Sequence, residues 1–290
     1  MNASRSSGRT PRPVIIVALA SILALMLAVG LAVSIVQSRS VTKKVNLSTL
    51  RWAFYAEDLN RLNAANPNLM KQVLGSPATY ALVSAGSGAV PRQAIPAQDF
   101  SAYADLQSAL QSGGMVPGVK AALYDPENWA ATPSAEQQNP VHYMQLFGQA
   151  ARSHGYTGIL APARDLAQVS GAACSQATGE TLTQAYLRCS IASAAAYAPV
   201  FVIQAAPVET DLPQFTQLVQ QASAQARAAN RTVVVLVTLS TEPNGVPVSA
   251  TVLTQAARAA LPYVQGFLPN STAATDGTML TCLNNLANGS

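Results

Sequence analysis

Short apolar runs in this sequence are repeatedly followed by acidic residues. Six of the 13 acids come shortly after such runs: Asp125, Glu127, Asp165, Glu209, Asp211 and Glu242. Two carboxyl groups that flank a sugar can cleave a glycosidic bond, at about 5–5.5 Å apart in retaining enzymes and about 6.5–9.5 Å in inverting ones. One of them must keep its proton near neutral pH in order to protonate the leaving oxygen. The acids therefore predict acid–base chemistry, provided that the apolar runs end at one common place.

One hexapeptide, Tyr-Asp-Pro-Glu-Asn-Trp, holds the strongest candidates. Glu127 is the predicted proton donor, because Tyr124 and Trp129 would give it an apolar setting and a surface on which a sugar ring can stack. Asp125 lies two positions earlier and would orient Glu127 or stabilise positive charge. The alternative is structural: the two acids cap the helix that follows near Thr132, and Trp129 lies in the core.

Further polar residues follow the other apolar runs. Asp165 is a third candidate catalytic residue, although an ion pair with Arg164 would explain it as well. Gln204 ends an otherwise apolar run and could hydrogen-bond either a ligand or a neighbouring strand. The partner carboxylate of Glu127 would be Asp165, Glu209 or Glu242. The residues predicted to contact a substrate are Trp129, Tyr124, Gln204, Glu209, Glu242 and Asn270.

The elements that must position these residues are short strands alternating with helices. Six apolar runs bounded by Gly, Pro, Asp and Asn are predicted to be buried strands, at 80–84, 119–124, 157–161, 200–204, 232–239 and 264–268. A weaker seventh run spans 93–97. Capping residues such as Asn139, Asp211 and Ser249 open amphipathic helices between them, and a further helix is predicted over 181–197. This alternation predicts a parallel sheet covered by helices.

Two architectures satisfy that pattern, a closed (β/α)8 barrel and an open doubly wound sheet. A dinucleotide-binding sheet would need a third glycine after Gly86-Ser87-Gly88, where Pro91 stands instead. We therefore predict an α/β fold with a TIM-barrel-like (β/α)8 domain over 76–290, either complete or short of a strand. The preceding segment, 37–75, is predicted to be a polar spacer followed by a helical stretch that is split at Pro67.

The chain begins with a basic segment, residues 1–13, followed by an uncharged apolar run at 14–36. As a helix this run would be roughly 34 Å long, enough to cross a hydrocarbon core of about 30 Å. We predict a transmembrane anchor that places 40–290 outside the cytoplasm, with the lipid bilayer as the partner of this helix. The alternative is a signal peptide, which would leave a secreted protein after cleavage.

The cysteines bear on the same question of location. Cys174 and Cys189 are 15 positions apart, and a disulfide between them would contribute about 3 kcal/mol in the chain-entropy description. Such a bond persists only in an oxidising compartment. Cys282 would then be a buried thiol. The alternative is that all three cysteines are small buried hydrophobic residues.

The composition excludes several classes of protein. With 49% hydrophobic and 10% charged residues, the chain can bury a core and is not disordered. Seven of the 17 basic residues lie in the first 51 positions without any acid, so the remainder is mildly acidic, and no nucleic-acid binding is predicted. His142 and His154 lack the spacing of metal ligands, and no cofactor motif occurs, so neither a metal nor a cofactor is predicted.

Several motifs together resemble a known group of proteins. They are Tyr124 to Trp129 with Thr132-Pro133, Ala161-Pro162 with Asp165-Leu166, Ile203-Gln204-Ala205 and Leu239-Ser240-Thr241. In these motifs the chain is similar, over about 100–270, to exported, uncharacterised actinobacterial proteins with a TIM-barrel-like fold, which are distantly similar to glycoside hydrolases.

The Asp-x-Glu of the hexapeptide also resembles the strand-end signature of family 18 chitinases, although Ala121-Ala122-Leu123 replaces the upstream part of that signature. The acids that follow the apolar runs, the aromatic residues beside them and the apolar run at 14–36 together predict a membrane-anchored barrel that acts on a cell-surface or environmental glycan. The alternative function is a non-catalytic cell-envelope binding protein built on the same barrel.

Overall fold

The computed structural model describes residues 43–84, 89–172 and 174–290. Within them, eight parallel strands pair in chain order, and the eighth pairs with the first to close a barrel. The strands are β1 (Arg51–Tyr55), β2 (Thr79–Val83), β3 (Ile95–Phe100), β4 (Ala121–Tyr124), β5 (Thr157–Leu160), β6 (Val200–Ile203), β7 (Val234–Ser240) and β8 (Gly266–Asn270). The predicted (β/α)8 fold is confirmed, with eight strands where the sequence showed six or seven.

Helices follow every strand except β2 and cover the outside of the barrel; among the described residues no helix lies between β2 and β3. In the described chain the α-helices are α1 (Ala56–Ala65), α2 (Pro67–Leu74), α3 (Tyr103–Ser112), α4 (Ser134–Gln138), α5 (Pro140–Ser153), α6 (Leu182–Arg188), α7 (Leu212–Ala229), α8 (Ala250–Ala260) and α9 (Asp276–Asn288). Short 3-10 helices lie at Leu47–Thr49, Arg164–Gln168, Ile191–Tyr197, Ala206–Val208 and Pro243–Gly245. The main hydrophobic core lies between these helices and the outer face of the strands.

Residue parity along each strand decides which side chains enter the barrel. Ala53, Leu82, Leu123, Val202 and Leu236 belong to the cluster inside the barrel. Their immediate neighbours in the chain belong to the outer cluster, because successive side chains of a strand point to opposite faces. The same alternation continues to the carboxyl ends of the strands, where it selects the residues that face the mouth of the barrel.

The sequence predicted a helix over the residues that form β1, and this prediction is wrong. Trp52 and Phe54 pack in the outer core while Ala53 lies inside the barrel, which is the two-residue alternation of a strand. The helical prediction holds further on, in α1 and α2, and these are separated just before Pro67 as predicted. The described part of the segment 37–75 therefore contributes a strand and two helices to the barrel.

The barrel closes through a short ladder between β8 and β1. Gly266 is paired with Arg51, and a Cβ at Gly266 would lie only 1.8 Å from the Arg51 carbonyl oxygen. Any side chain there would push the two strands apart, so glycine is required for this close approach.

Most predicted helix starts are confirmed. Asp211 accepts the Gln214 N–H at 3.1 Å to cap α7, and Ser249 accepts the Val252 N–H at 3.3 Å to cap α8. The continuous helix predicted over 181–197 is wrong. It is broken at Ser190, which has a left-handed backbone with φ of 50°, so α6 ends and a 3-10 helix follows.

The predicted disulfide joins Cys174 to Cys189, and Cys282 is a buried free thiol, as expected. The apolar run at 14–36 and Gly86-Ser87-Gly88 lie outside the described residues. In the part of the chain that the structure describes, no helix is long and apolar enough to cross a membrane.

Candidate active site

A cavity of about 200 Å3 lies at the carboxyl ends of the strands, and we call it the mouth cavity. It contains five of the residues that the sequence placed at strand ends, namely Asp125, Glu127, Gln204, Glu242 and Asn270. Carboxyl ends of parallel strands meet at one face of a barrel, so residues that are far apart in the sequence share this wall. Tyr55, Thr238 and Ser240 add further polar groups to it.

Gln204 connects three strand ends inside the mouth. Its Nε2 donates to the carbonyl oxygen of Ala161 at 2.7 Å and to Oδ1 of Asp125. The same amide lies close enough to Glu127 to favour its ionised form. Of the two roles that the sequence allowed, contact with neighbouring strands is the one that the structure contains. The amide thereby fixes the two carboxyl groups that follow β4 in relation to each other.

The acids at the mouth hold their protons more tightly than ordinary carboxyl groups. Burial raises the pKa of Asp125 well above its usual value, and the neighbouring charges of Asp99, Glu127 and Asp165 raise it further. Burial and Asp165 also raise the pKa of Glu127. Gln204 opposes both shifts, because its amide N–H groups favour the ionised forms of the carboxyl groups. Burial and like charges therefore make these carboxyl groups release their protons at a higher pH than exposed ones do.

Asp99 is a mouth residue that the sequence analysis missed. It lies near the end of β3, two positions after the buried Ala97, and burial raises its pKa to about 6. Its Oδ1 is buried and has no hydrogen-bond partner. The weak seventh run was predicted to stop at Ala97. Extending its two-residue alternation by one more step would have placed Asp99 beside Asp125, with which it is coupled electrostatically.

Tyr55 is the second missed residue, and it ends β1. Burial raises the pKa of its hydroxyl, and the charges of Asp125 and Asp99 raise it further. It therefore stays a neutral phenol that can donate a hydrogen bond. Since the segment around it was predicted to be helical, nothing placed Tyr55 at a strand end.

The loop after β4 is held by its own polar groups. Thr132 Oγ1 accepts the backbone N–H of Glu127 at 3.1 Å and the indole N–H of Trp129 at 3.0 Å, and it donates to the Ser101 carbonyl at 2.9 Å. Asp165 Oδ1 accepts the Asn128 N–H at 3.1 Å. Asp165 thus braces this loop from the segment that follows the next strand, β5.

The sequence also allowed purely structural roles for this loop, with Asp125 and Glu127 as helix caps and Trp129 in the core, and the structure contains neither. No side chain caps the first helix after the loop, α4, at its N-terminus, so neither Asp125 nor Glu127 has the capping role. Trp129 is 45% exposed and is not a core residue. Its ring is fixed at the nitrogen by Thr132 and open to solvent elsewhere. Arg164, the other predicted partner of Asp165, donates instead to Thr183 Oγ1 at 3.0 Å.

The structure does not bring Tyr124 to the mouth. Tyr124 is fully buried outside the barrel, where its ring stacks on Phe147 with a centroid distance of 4.8 Å. Its hydroxyl donates to Glu136 at 2.6 Å. The predicted contact with a sugar does not fit this placement, because Tyr124 precedes Asp125 in the chain and therefore points to the opposite face.

Glu209 and Glu242, two predicted substrate contacts, differ in position. Glu209 is 1% exposed and does not line the mouth cavity; its Oε2 accepts the Ser240 N–H at 3.0 Å, and burial raises its pKa to about 8. Glu242 lines the cavity, and its Oε1 accepts the Thr272 hydroxyl at 3.2 Å. Glu209 therefore supports the wall from behind, whereas Glu242 is part of it.

No group of three or more His, Cys, Asp or Glu side chains in the described ranges is arranged to hold a metal ion. The mouth is a cavity at the end of a (β/α)8 barrel, lined by carboxyl, amide and hydroxyl groups together with apolar side chains such as Leu82, Leu123 and Leu268.

No known protein family matches this chain. No curated protein sequence matches it either. Solved structures do resemble its fold. One is the crystal structure of a "putative alpha-L-fucosidase" from Bacteroides thetaiotaomicron, with a TM-score of 0.53 and 8% identity over 86% of this chain and 96% of that one. The likeness shows the barrel fold.

A second neighbour is the carboxyl transferase domain of pyruvate carboxylase from Rhizobium etli, with a TM-score of 0.45 and 8% identity. The match covers 79% of this chain but only 40% of that one, so the chain spans less than half of its length. The resemblance to exported actinobacterial proteins stays a prediction from the sequence.

Proposed function

We propose that this protein is a glycoside-hydrolase-like enzyme that binds one sugar residue of a glycan in the mouth cavity. The observation that carries the proposal is that Glu127 and Glu242 line one cavity from different strand ends, after β4 and β7. Paired carboxyl groups around a sugar-sized cavity are what glycosidic cleavage needs. The distant likeness to a fucosidase-like barrel supports the scaffold and not the substrate.

Glu127 is the proposed proton donor. Its raised pKa keeps the carboxyl group protonated to a higher pH than an exposed glutamic acid, so a proton is present for the leaving glycosidic oxygen. Asp165 takes part as the neighbouring charge that raises this pKa and as the acceptor that fixes the loop through Asn128.

Glu242 is the proposed partner carboxylate. Its Oε1 is held by Thr272, which leaves Oε2 as the atom that would attack the anomeric carbon or deprotonate a water molecule. Asp125 assists from the floor of the site, since its hydrogen bond to Gln204 keeps that amide close to Glu127. Glu209, the third candidate partner from the sequence, lies outside the cavity.

Trp129 is the proposed stacking surface. It is one of two large apolar side chains that are exposed in the described chain, and it lies two positions after Glu127. The apolar face of a sugar ring beside the mouth could lie against its indole. Tyr124, which the sequence offered for the same role, is not available for it.

We also propose that residues 14–36 anchor the chain in a membrane and that 40–290 lie on the extracytoplasmic side. The Cys174–Cys189 disulfide supports an oxidising compartment. Secretion after cleavage is the alternative and fits the same disulfide.

The test is hydrolysis of chromogenic aryl glycosides and of cell-envelope glycans by the full chain. Glu127→Gln keeps the size of the side chain but removes the proton, and we expect kcat on any cleaved glycan to fall by about 100-fold or more. Glu180→Gln makes the same chemical change at an ion pair with Arg188, away from the mouth, and should leave kcat unaltered. Undiminished turnover by Glu127→Gln would remove Glu127 from the mechanism.

The second candidate function is a non-catalytic glycan-binding protein of the cell envelope. It is favoured by the exposed and fixed ring of Trp129, which a binder needs as much as an enzyme does. A glycan array that shows binding weakened by Trp129→Ala, together with no turnover of any bound glycan, would favour the binder.

A further inference from the structure

A second cavity, of about 400 Å3, borders the mouth cavity, and we call it the side cavity. The two cavities share Tyr55, Leu82 and Asn270 as lining residues. The side cavity continues past these residues to Asp58 and Asp99, between the ends of β1, β2 and β3. A sugar seated in the mouth would therefore present its substituents to the side cavity across Tyr55 and Asn270.

The charges around the two cavities are all of one sign. Among the described residues that line them, the charged ones are Glu57, Asp58, Asp99, Asp125, Glu127 and Glu242, and none is basic. An anionic ligand such as a phosphorylated sugar or a sugar acid would enter against this field. The lining therefore selects neutral and, above all, cationic ligands.

The two aspartates that line the side cavity, Asp58 and Asp99, differ in how their carboxyl oxygens are hydrogen-bonded. Asp58 is already compensated, because Oδ1 accepts from Arg61 at 2.9 Å and Oδ2 accepts the Ser271 N–H at 3.3 Å. Asp99 has no basic neighbour among the groups that shift its pKa, and its buried Oδ1 has no hydrogen-bond partner. A buried carboxylate oxygen without a donor is unfavourable, so its retention calls for a group that completes it.

We propose that the glycan residue bound here carries a free, protonated amino group, which enters the side cavity and donates to Asp99. An ammonium group supplies both the hydrogen bond and the opposite charge that Asp99 lacks. An N-acetylated amino sugar would not serve, because its amide is neutral and bulkier. The inference rests on the proposed function, in which a sugar residue binds in the mouth cavity. It adds the substrate class, which is a hexosamine that is not acetylated.

The test is calorimetric titration of the full chain with matched monosaccharides: glucosamine, galactosamine and mannosamine against their N-acetyl forms and against glucose, galactose and mannose. At least one amino sugar should bind at least about tenfold more tightly than its N-acetyl form and its neutral hexose, as expected for a charge-assisted hydrogen bond. Asp99→Asn keeps the shape of the side chain and should bring that preference close to unity. Asp105→Asn, the same change at an exposed site on α3, should preserve it.

Each outcome bears on one proposal or the other. Equal binding of amines and neutral sugars, a preference that survives Asp99→Asn, or no binding by any amine would overturn the ammonium site. Hydrolysis of neutral glycans that depends on Glu127 would at the same time leave the enzyme proposal standing. Asp99-dependent amine binding without hydrolysis of any amino-sugar glycan would instead retain the ammonium site and remove the hydrolase.

Discussion

Two carboxyl groups on opposite faces of β4, those of Glu136 and Asp125, have contrasting surroundings. On the outer face, Glu136 accepts the Tyr124 hydroxyl at 2.6 Å and the N–H groups of Tyr103 and Ala104 at 2.7 and 3.2 Å. On the inner face, Asp125 has Gln204 as its side-chain donor and three acids as electrostatic neighbours. The two sites are separated by the thickness of one strand, because Tyr124 and Asp125 are consecutive.

The difference separates structure from function. Three donors compensate Glu136, so its carboxylate stabilises the fold by tying α3 and β4 to α4. The inner cluster gains no such compensation, and burial and like charges raise the pKa of its members. Folding alone would not favour that arrangement, whereas acid–base chemistry uses it.

The largest effect is expected at the outer site. Glu136→Ala leaves the buried Tyr124 hydroxyl and the partly buried N–H groups of Tyr103 and Ala104 without their acceptor, and we expect the free energy of unfolding to fall by roughly 2–4 kcal/mol in urea denaturation. Tyr124→Phe removes a single one of these hydrogen bonds and should cost about 1–2 kcal/mol. If Glu136→Ala lost less than Tyr124→Phe, the outer carboxylate would not be the structural anchor described here.

At the inner site we expect a change of opposite sign. Asp125→Asn removes a carboxyl group whose pKa is raised on folding, so the free energy of unfolding at pH 7 should rise by about 1–2 kcal/mol while activity falls. The gain should vanish at low pH, where the carboxyl group is protonated in the unfolded chain as well. Urea denaturation at several pH values measures both parts, with exposed Asp105→Asn as the control. A loss of stability at pH 7 would show that Asp125 is structural, like Glu136.

The smallest effect concerns Asp165. Its charge raises the pKa of Glu127, so Asp165→Asn should lower that pKa, and the proposed donor should lose its proton at a lower pH. The alkaline limb of kcat/KM should therefore move to lower pH. The amide oxygen of the substituted side chain can still accept the Asn128 N–H, which keeps the loop in place. A shift of the limb toward higher pH would contradict the assignment of Glu127 as the acid.

Much of the fold was accessible from the sequence because it depends on local patterns. Buried parallel strands are continuous apolar runs, and helix caps have recognisable residues such as Asp211 and Ser249. β1 escaped detection because its alternating Trp52, Ala53 and Phe54 lead directly into α1, so that strand and helix appear as one apolar stretch. Because β1 was not predicted, Tyr55 was not recognised as a strand-end residue, although it lines both cavities.

The sequence by itself determined the alternation of strands and helices after β1, the disulfide pairing of Cys174 and Cys189, and the choice of Asp125, Glu127 and Gln204 as residues at strand ends. Only the tertiary structure decided which side of the barrel each of these residues faces. It separated Tyr124 from Asp125, buried Glu209 behind the wall and added Asp99 to the acids. The physical reason is that successive side chains of a strand point to opposite faces. An error of one position in the register of a strand therefore places a residue in the outer core that actually faces the mouth of the barrel, or the reverse.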